Sequence, residues 1–244
     1  MPRSLRNMAL CTLMGLVSCS PAAPTTPPKV AAPAEQSSAA VEQPREGATP
    51  TEDDATTPFA LEEGFQPLTL ADFEAFGAEP ETWSGQDDRI VCQGKPKGYL
   101  YSRRPYQNFI WKLEFRFPRP KSLKDEAQFK GNTGFLVYIT GDHKLWPVCI
   151  EVQGKHVQMA AIRENGGAEP VTVHDDETHR LAARKTVGQW NQLEITSKNG
   201  ALAVILNGEP VATSDPNFLS EGLIGIQAED HPFEVRRMRI KTTE

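Results

Sequence analysis

Between Trp111 and Phe117 the side chains alternate without a break. Trp111, Leu113, Phe115 and Phe117 share one face, and Lys112, Glu114 and Arg116 share the other. Successive side chains leave opposite sides of a strand, so a period of two commits this stretch to a sheet with one apolar face. Short runs rich in β-branched and aromatic residues recur at 99–101, 109–117, 134–139, 149–153, 157–162, 190–195, 202–206, 224–227 and 233–240. Asn207-Gly208 stands between two such runs, and a type I′ hairpin turn needs positive φ at both central positions. No sustained helical period occurs apart from a turn at 69–76. The pattern predicts an all-β fold, a two-sheet antiparallel jelly-roll sandwich.

The strand pattern begins only after residue 58. Residues 1–19 have a basic start (Arg3, Arg6), an apolar run too short for a permanent membrane span, and Leu16-Val17-Ser18-Cys19 at the end. This is the shape of a secretory signal closing on a bacterial lipobox, with Cys19 as the lipidated residue. Several acyl chains on that one cysteine would hold the chain on a membrane facing the periplasm or the cell exterior. Residues 20–58 are dominated by Pro, Ala, Thr and Glu and contain no aromatic residue, a composition expected of a disordered tether. Residues 59–244 are the expected jelly-roll domain. Losing Arg3 and Arg6 removes two positive charges from a formal net charge of −6, leaving −8, which argues against a nucleic-acid partner. Export would permit a Cys92–Cys149 disulfide, but two cysteines in so large a domain favour buried free thiols.

Within this apolar pattern one charge stands out. Glu151 and Gln153 lie two apart in Val148-Cys-Ile-Glu-Val-Gln153 and so share a strand face, with Ile150 and Val152 on the other. A carboxylate amid apolar neighbours is costly unless it is paired or lines a wet groove. An ion pair to an arginine on a neighbouring strand and a functional role both satisfy that condition.

Eight short motifs then occur in order: Asp88-Arg-Ile-Val-Cys-Gln-Gly94, Tyr106-Gln-Asn-Phe109, Leu113-Glu-Phe-Arg-Phe117, Gly131-Asn-Thr-Gly134, Ile150-Glu-Val-Gln153, Gly188-Gln-Trp-Asn191, Leu206-Asn-Gly208 and Ile224-Gly-Ile-Gln227. Together they resemble the 3-keto-disaccharide hydrolase family, formerly a domain of unknown function, with a concanavalin A-like jelly-roll fold. The resemblance implies cleavage of glycosidic bonds in sugars already oxidised at carbon 3, with a carbohydrate as partner. A ketone at carbon 3 acidifies the hydrogen on carbon 2, so a base can remove it and the glycosidic oxygen can leave by β-elimination. Such a site needs a base, an acid and a group polarising the ketone. It names no cofactor and no metal ligands, and leaves room for a divalent metal at the ketone. A glycan-binding module without turnover is the alternative, since one fold hosts both roles.

The residues singled out follow from this chemistry. Glu151 is the first choice for the base, and His231, with a side chain that titrates near neutrality, is the second acid–base candidate. Asn132, Gln153 and Gln227 are candidates for holding sugar hydroxyls, and Trp146 for stacking on a sugar face. Asp230 belongs to the late run Gln227-Ala-Glu-Asp-His231, where the family more often shows Gln-Asp-His-Gly; here Ala228-Glu229 is inserted and Pro232 replaces the glycine. Trp83, Trp111 and Trp190 are expected to pack in the core. His174-Asp-Asp-Glu-Thr-His179 matches no metal-ligand spacing and is expected to be a solvated acidic loop.

Overall fold

The computed structural model describes residues 59–86 and 88–244. The signal, Cys19 and the tether lie outside them. The first strands are β1 (Gln66–Pro67), β2 (Phe73–Phe76), β3 (Trp83–Gln86), β4 (Arg89–Cys92) and β5 (Gly98–Ser102). The long β6 (Phe109–Arg116), β7 (Gly134–Thr140), β8 (Val148–Gln153), β9 (Ile162–Asn165) and β10 (Val173–Asp175) follow. A helix α1 (Glu177–Ala183) precedes β11 (Asn191–Lys198), β12 (Ala201–Leu206), β13 (Glu209–Ser214), β14 (Leu223–Ala228) and β15 (Phe233–Thr242). They form two antiparallel sheets of a jelly-roll sandwich. One has the order β10-β13-β12-β11-β6-β15-β4-β3, with β1 beside β15; the other has the order β2-β5-β14-β7-β8-β9.

The alternation in β6 has the predicted result. Trp111, Leu113, Phe115 and Phe117 are all buried and face Phe135, Ile150, Val152 and Ile226 of the second sheet in one core. Phe115 meets Phe135 edge to face with ring centroids 4.8 Å apart, a geometry worth about 1 kcal/mol beyond the area it buries. The Asn207-Gly208 turn also forms as expected, with φ of 54° and 90° joining β12 to β13. Trp83, Trp111 and Trp190 are buried, and Cys92 and Cys149 are free, buried thiols.

Three expectations are corrected. Residues 157–162 are not a strand: a short turn at His156–Gln158 leads to Ala160 at φ 66°, and β9 starts only at Ile162. The apolar run there is a buried plug, with Met159, Ala160 and Ala161 packed inside and the chain folding back so that Ala160 N–H donates to the Gln153 carbonyl. The turn at 69–76 covers only Leu70–Asp72, because Phe73–Phe76 pairs with β5. Segment 174–179 is ordered, not a loop. It ends β10 and opens α1, whose N-terminus is capped by the Asp176 carboxylate accepting from His179 N–H. Seven residues are too few for helical periodicity to show.

Glu114, on the polar face of β6, is nonetheless only 5% exposed. A bulge in β15 between Arg236 and Arg239, with Arg237 at φ 53°, explains this. In a regular strand consecutive side chains diverge; here Arg236 Nε and Arg237 Nη1 both reach the Glu114 carboxylate, at 2.6 and 3.0 Å. Arg236 and Arg116 also stack on the Trp190 ring, 4.2 and 4.5 Å from its centroid.

Candidate functional site

The six-stranded sheet buries Leu100, Ile226, Phe135, Ile150 and Val152 toward the core, so its intervening residues point to the other side. Register fixes who meets whom there. Glu151 pairs with Leu136 of β7 and with Arg163 of β9, and Gln153 pairs with Gly134. Across β7, Ile226 pairs with Phe135; continuing that register brings Gln227 to Gly134. Gly134 is thus the hub. A β-carbon there would collide with Glu151 Oε1 on one side and Gln227 Oε1 on the other. The missing side chain lets an acid and an amide from two different strands converge over one glycine. Thr133 steadies the arrangement by donating from Oγ1 to the Gln227 carbonyl at 2.7 Å.

Three amide oxygens at this place are buried and find no hydrogen-bond partner within the protein: Asn132 Oδ1, Gln153 Oε1 and Gln227 Oε1. Buried acceptors are nearly always satisfied, so three together mark a place built to receive donors from elsewhere. Gln227 is the most enclosed, at 2% exposure. Glu151 is 6% exposed and has no ion pair among the described residues. Its carboxyl is pushed up to about 8, first by burial and then by the nearby charge of Glu229; Arg163 opposes the shift. Glu229, half-buried, is also raised by burial, while Lys97, a hydrogen bond with Asn132 and Lys155 pull the other way.

The remaining candidates form a rim or stand apart. Asp230, at φ 68°, pairs with Lys97 Nζ at 2.8 Å, and each holds the other in its charged form. Lys97 Nζ also lies 6.0 Å from the centre of the Trp146 ring, which is 38% exposed. Trp146 and Asp230 therefore meet through one lysine. His231 instead stands edge-on to Phe129, 6.1 Å between ring centres, and its Nδ1 is 3.4 Å from the Glu229 carbonyl oxygen. His143 caps an aromatic group on the same sheet, 2.7 Å from the Tyr99 hydroxyl and 4.1 Å from the centre of the Tyr101 ring.

The structure thus gathers Glu151, Gln227, Gln153 and Asn132, sets Asp230 and Trp146 at the edge, and gives His231 no contact with Glu151. It also adds Glu229, which sequence reasoning passed over. The signal was there: Gln227 and Glu229 are two apart around Ala228, which is 1% exposed in the core. Among the described residues no three His, Cys, Asp or Glu side chains gather into a metal cluster. The oxygen donors that could face a hard cation are the Glu151 and Glu229 carboxylates and the three amides.

Comparison with known proteins adds the family context. The model of the 3-keto-alpha-glucoside-1,2-lyase-like domain matches residues 65–241. No curated protein sequence matches. Two crystal structures of candidate glycosyl hydrolases from Parabacteroides distasonis share the fold. The first is 21% identical with a TM-score of 0.54, covering 73% of this chain and 99% of its own. The second is 15% identical with a TM-score of 0.56, covering 76% and 99%. A carbohydrate-binding module from Bacillus subtilis is 12% identical, with a TM-score of 0.48, covering 70% and 96%.

Proposed function

Because the chain belongs to the 3-keto-alpha-glucoside-1,2-lyase-like family, we propose that it cleaves glycosidic bonds of 3-keto-glycosides by β-elimination at the Gly134 site. The observation that carries this reading is the meeting of the buried Glu151 carboxyl and the unpartnered Gln227 Oε1 over Gly134, with two further unpartnered amide oxygens on the neighbouring Asn132 and Gln153. A sugar ring supplies what those oxygens lack, since its hydroxyls are donors. Asn132, Gln153 and Gln227 then fix the ring, and Trp146 offers a partly exposed face at the rim.

Glu151 takes a different part from the one its sequence context suggests. A carboxyl with a pKa of about 8 is largely protonated at neutral pH, so it is fitted to donate rather than abstract. In the proposed reaction a base removes the proton from carbon 2, and its electron pair forms the carbon 1–carbon 2 double bond. The carbon 1–oxygen bond breaks, and Glu151 passes its proton to the departing oxygen. Water then adds across the double bond to give the free 3-keto sugar, so the net change is hydrolysis. Purified protein incubated with 3-keto-glucosides of alcohols should release the alcohol, and Glu151→Gln should lower that rate roughly 100- to 10,000-fold. Tight glycan binding with equal, negligible release by both proteins would replace this reading with that of a non-catalytic binding module.

A further inference from the structure

Resting on that reading, we propose that Glu229 is the base: its carboxylate takes the proton from carbon 2 while Glu151 protonates the leaving oxygen. The case starts from placement. β14 alternates Gln227 toward the site and Ala228 into the core, and Glu229, one step beyond the strand's end, returns to the Gln227 side. There it bonds with Asn132, one of the three amides of the site, and its charge acts on Glu151. Glu229 and Glu151 thus lie on the same side of the sheet, one just past β14 and the other on β8.

Their surroundings separate their states. Glu151 sits deep in the sheet face, with only Arg163 opposing the loss of solvent. Glu229 sits nearer water, between Lys97 before β5 and Lys155 after β8, and accepts from Asn132; Asp230 is the like charge beside it. Two neighbouring carboxyls resist ionising together. Burial raises both, and of the two only the outer Glu229 has two lysines and an amide drawing it back toward its charged form. A pair of titratable groups split this way supplies both an acid and a base. No step requires an oxidant or reductant: one proton leaves carbon 2 for Glu229, one leaves Glu151 for the glycosidic oxygen, and water later restores the balance.

The two roles come apart in deuterium oxide. With a 3-keto-glucoside, exchange at carbon 2 reads the base alone, and release of an alkyl alcohol reads base and acid together. A nitrophenol leaving group needs no acid. Glu229→Gln should lose both exchange and nitrophenol release, roughly 100- to 10,000-fold, with Glu229→Asp retaining part of each. Glu151→Gln should lose alkyl alcohol release far more than exchange or nitrophenol release. Melting curves matching wild type establish that each variant is folded. Exchange at the wild-type rate in folded Glu229→Gln overturns the assignment of the base and leaves the reaction standing. A wild-type protein that neither exchanges nor releases overturns the reaction itself.

Discussion

Gly134 does its work by lacking a side chain. Any β-carbon at 134 enters the space shared by Glu151 Oε1 and Gln227 Oε1, so Gly134→Ala should abolish release from 3-keto-glucosides and displace a bound sugar, as titration calorimetry would show. Glu151 makes a separate prediction about stability. Its folded-state pKa lies above the ordinary value, 4.5 raised to about 8. Above pH 4.5 the unfolded chain gives up this proton while the folded protein still holds it, so stability falls as pH rises through that window and levels off beyond pH 8. At about 1.4 kcal/mol per unit the full effect is on the order of 5 kcal/mol. Glu151→Gln should remove it, making the variant more stable than wild type at pH 8.5 and nearly equal at pH 4.5, as denaturant titrations at the two pH values would show. Glu151 was legible in the sequence because a charge in an apolar strand is conspicuous. Glu229 was legible only in part: its spacing from Gln227 gives its side of the sheet, but its meaning depends on Asn132 and Glu151 from elsewhere in the chain. Gly134 reads in sequence as the edge of a turn, and only the register with Gln153 and Gln227 reveals it as the floor of a site.

The elements behind the site are held by α1. Arg180, 4% exposed, reaches Asp175 at 2.8 Å and donates to the Met159 carbonyl at 3.1 Å; Arg184 donates to the His156 carbonyl at 2.5 Å. The plug thus gripped returns to the site, since Gly154 N–H donates to the Thr133 carbonyl and His156 N–H to that of Gly131, on either side of Asn132. Removing one partner of a buried pair typically costs 3–5 kcal/mol. Arg180→Ala should therefore destabilise the protein by about 3 kcal/mol, and amides at 154–161 should exchange sooner than those of β6. Sequence pattern captured the strands that alternate or carry long apolar runs, such as β6, β7, β8 and β12. It failed where burial lacks a period: the plug is apolar like a strand yet folds as a turn, and α1 is too short to show one. The bulge in β15 was equally silent, because the Glu114 on which it lets Arg236 and Arg237 converge belongs to another strand.

At the scale of the whole molecule, we propose that the chain is exported and lipidated at Cys19. In a bacterial host the native chain should fractionate with membranes and Cys19→Ser should not, with labelled palmitate incorporated only by the former. The strands that carry the candidate site, β14, β7 and β8, sit mid-sheet, between β5 and β9, so a chain cut back at either sheet edge should lose the site only after it loses the fold. The opposite sheet has a different property. Its β1 lies beside β15, with Gln66 paired to Ile240, so the two ends of the domain emerge as neighbours on the sheet that does not carry the site. Such a domain can be rewired as a circular permutant. A short linker joining 244 to 59 and new ends opened at the Asn207-Gly208 turn would reorder the gene while leaving every strand pairing around Gly134 intact.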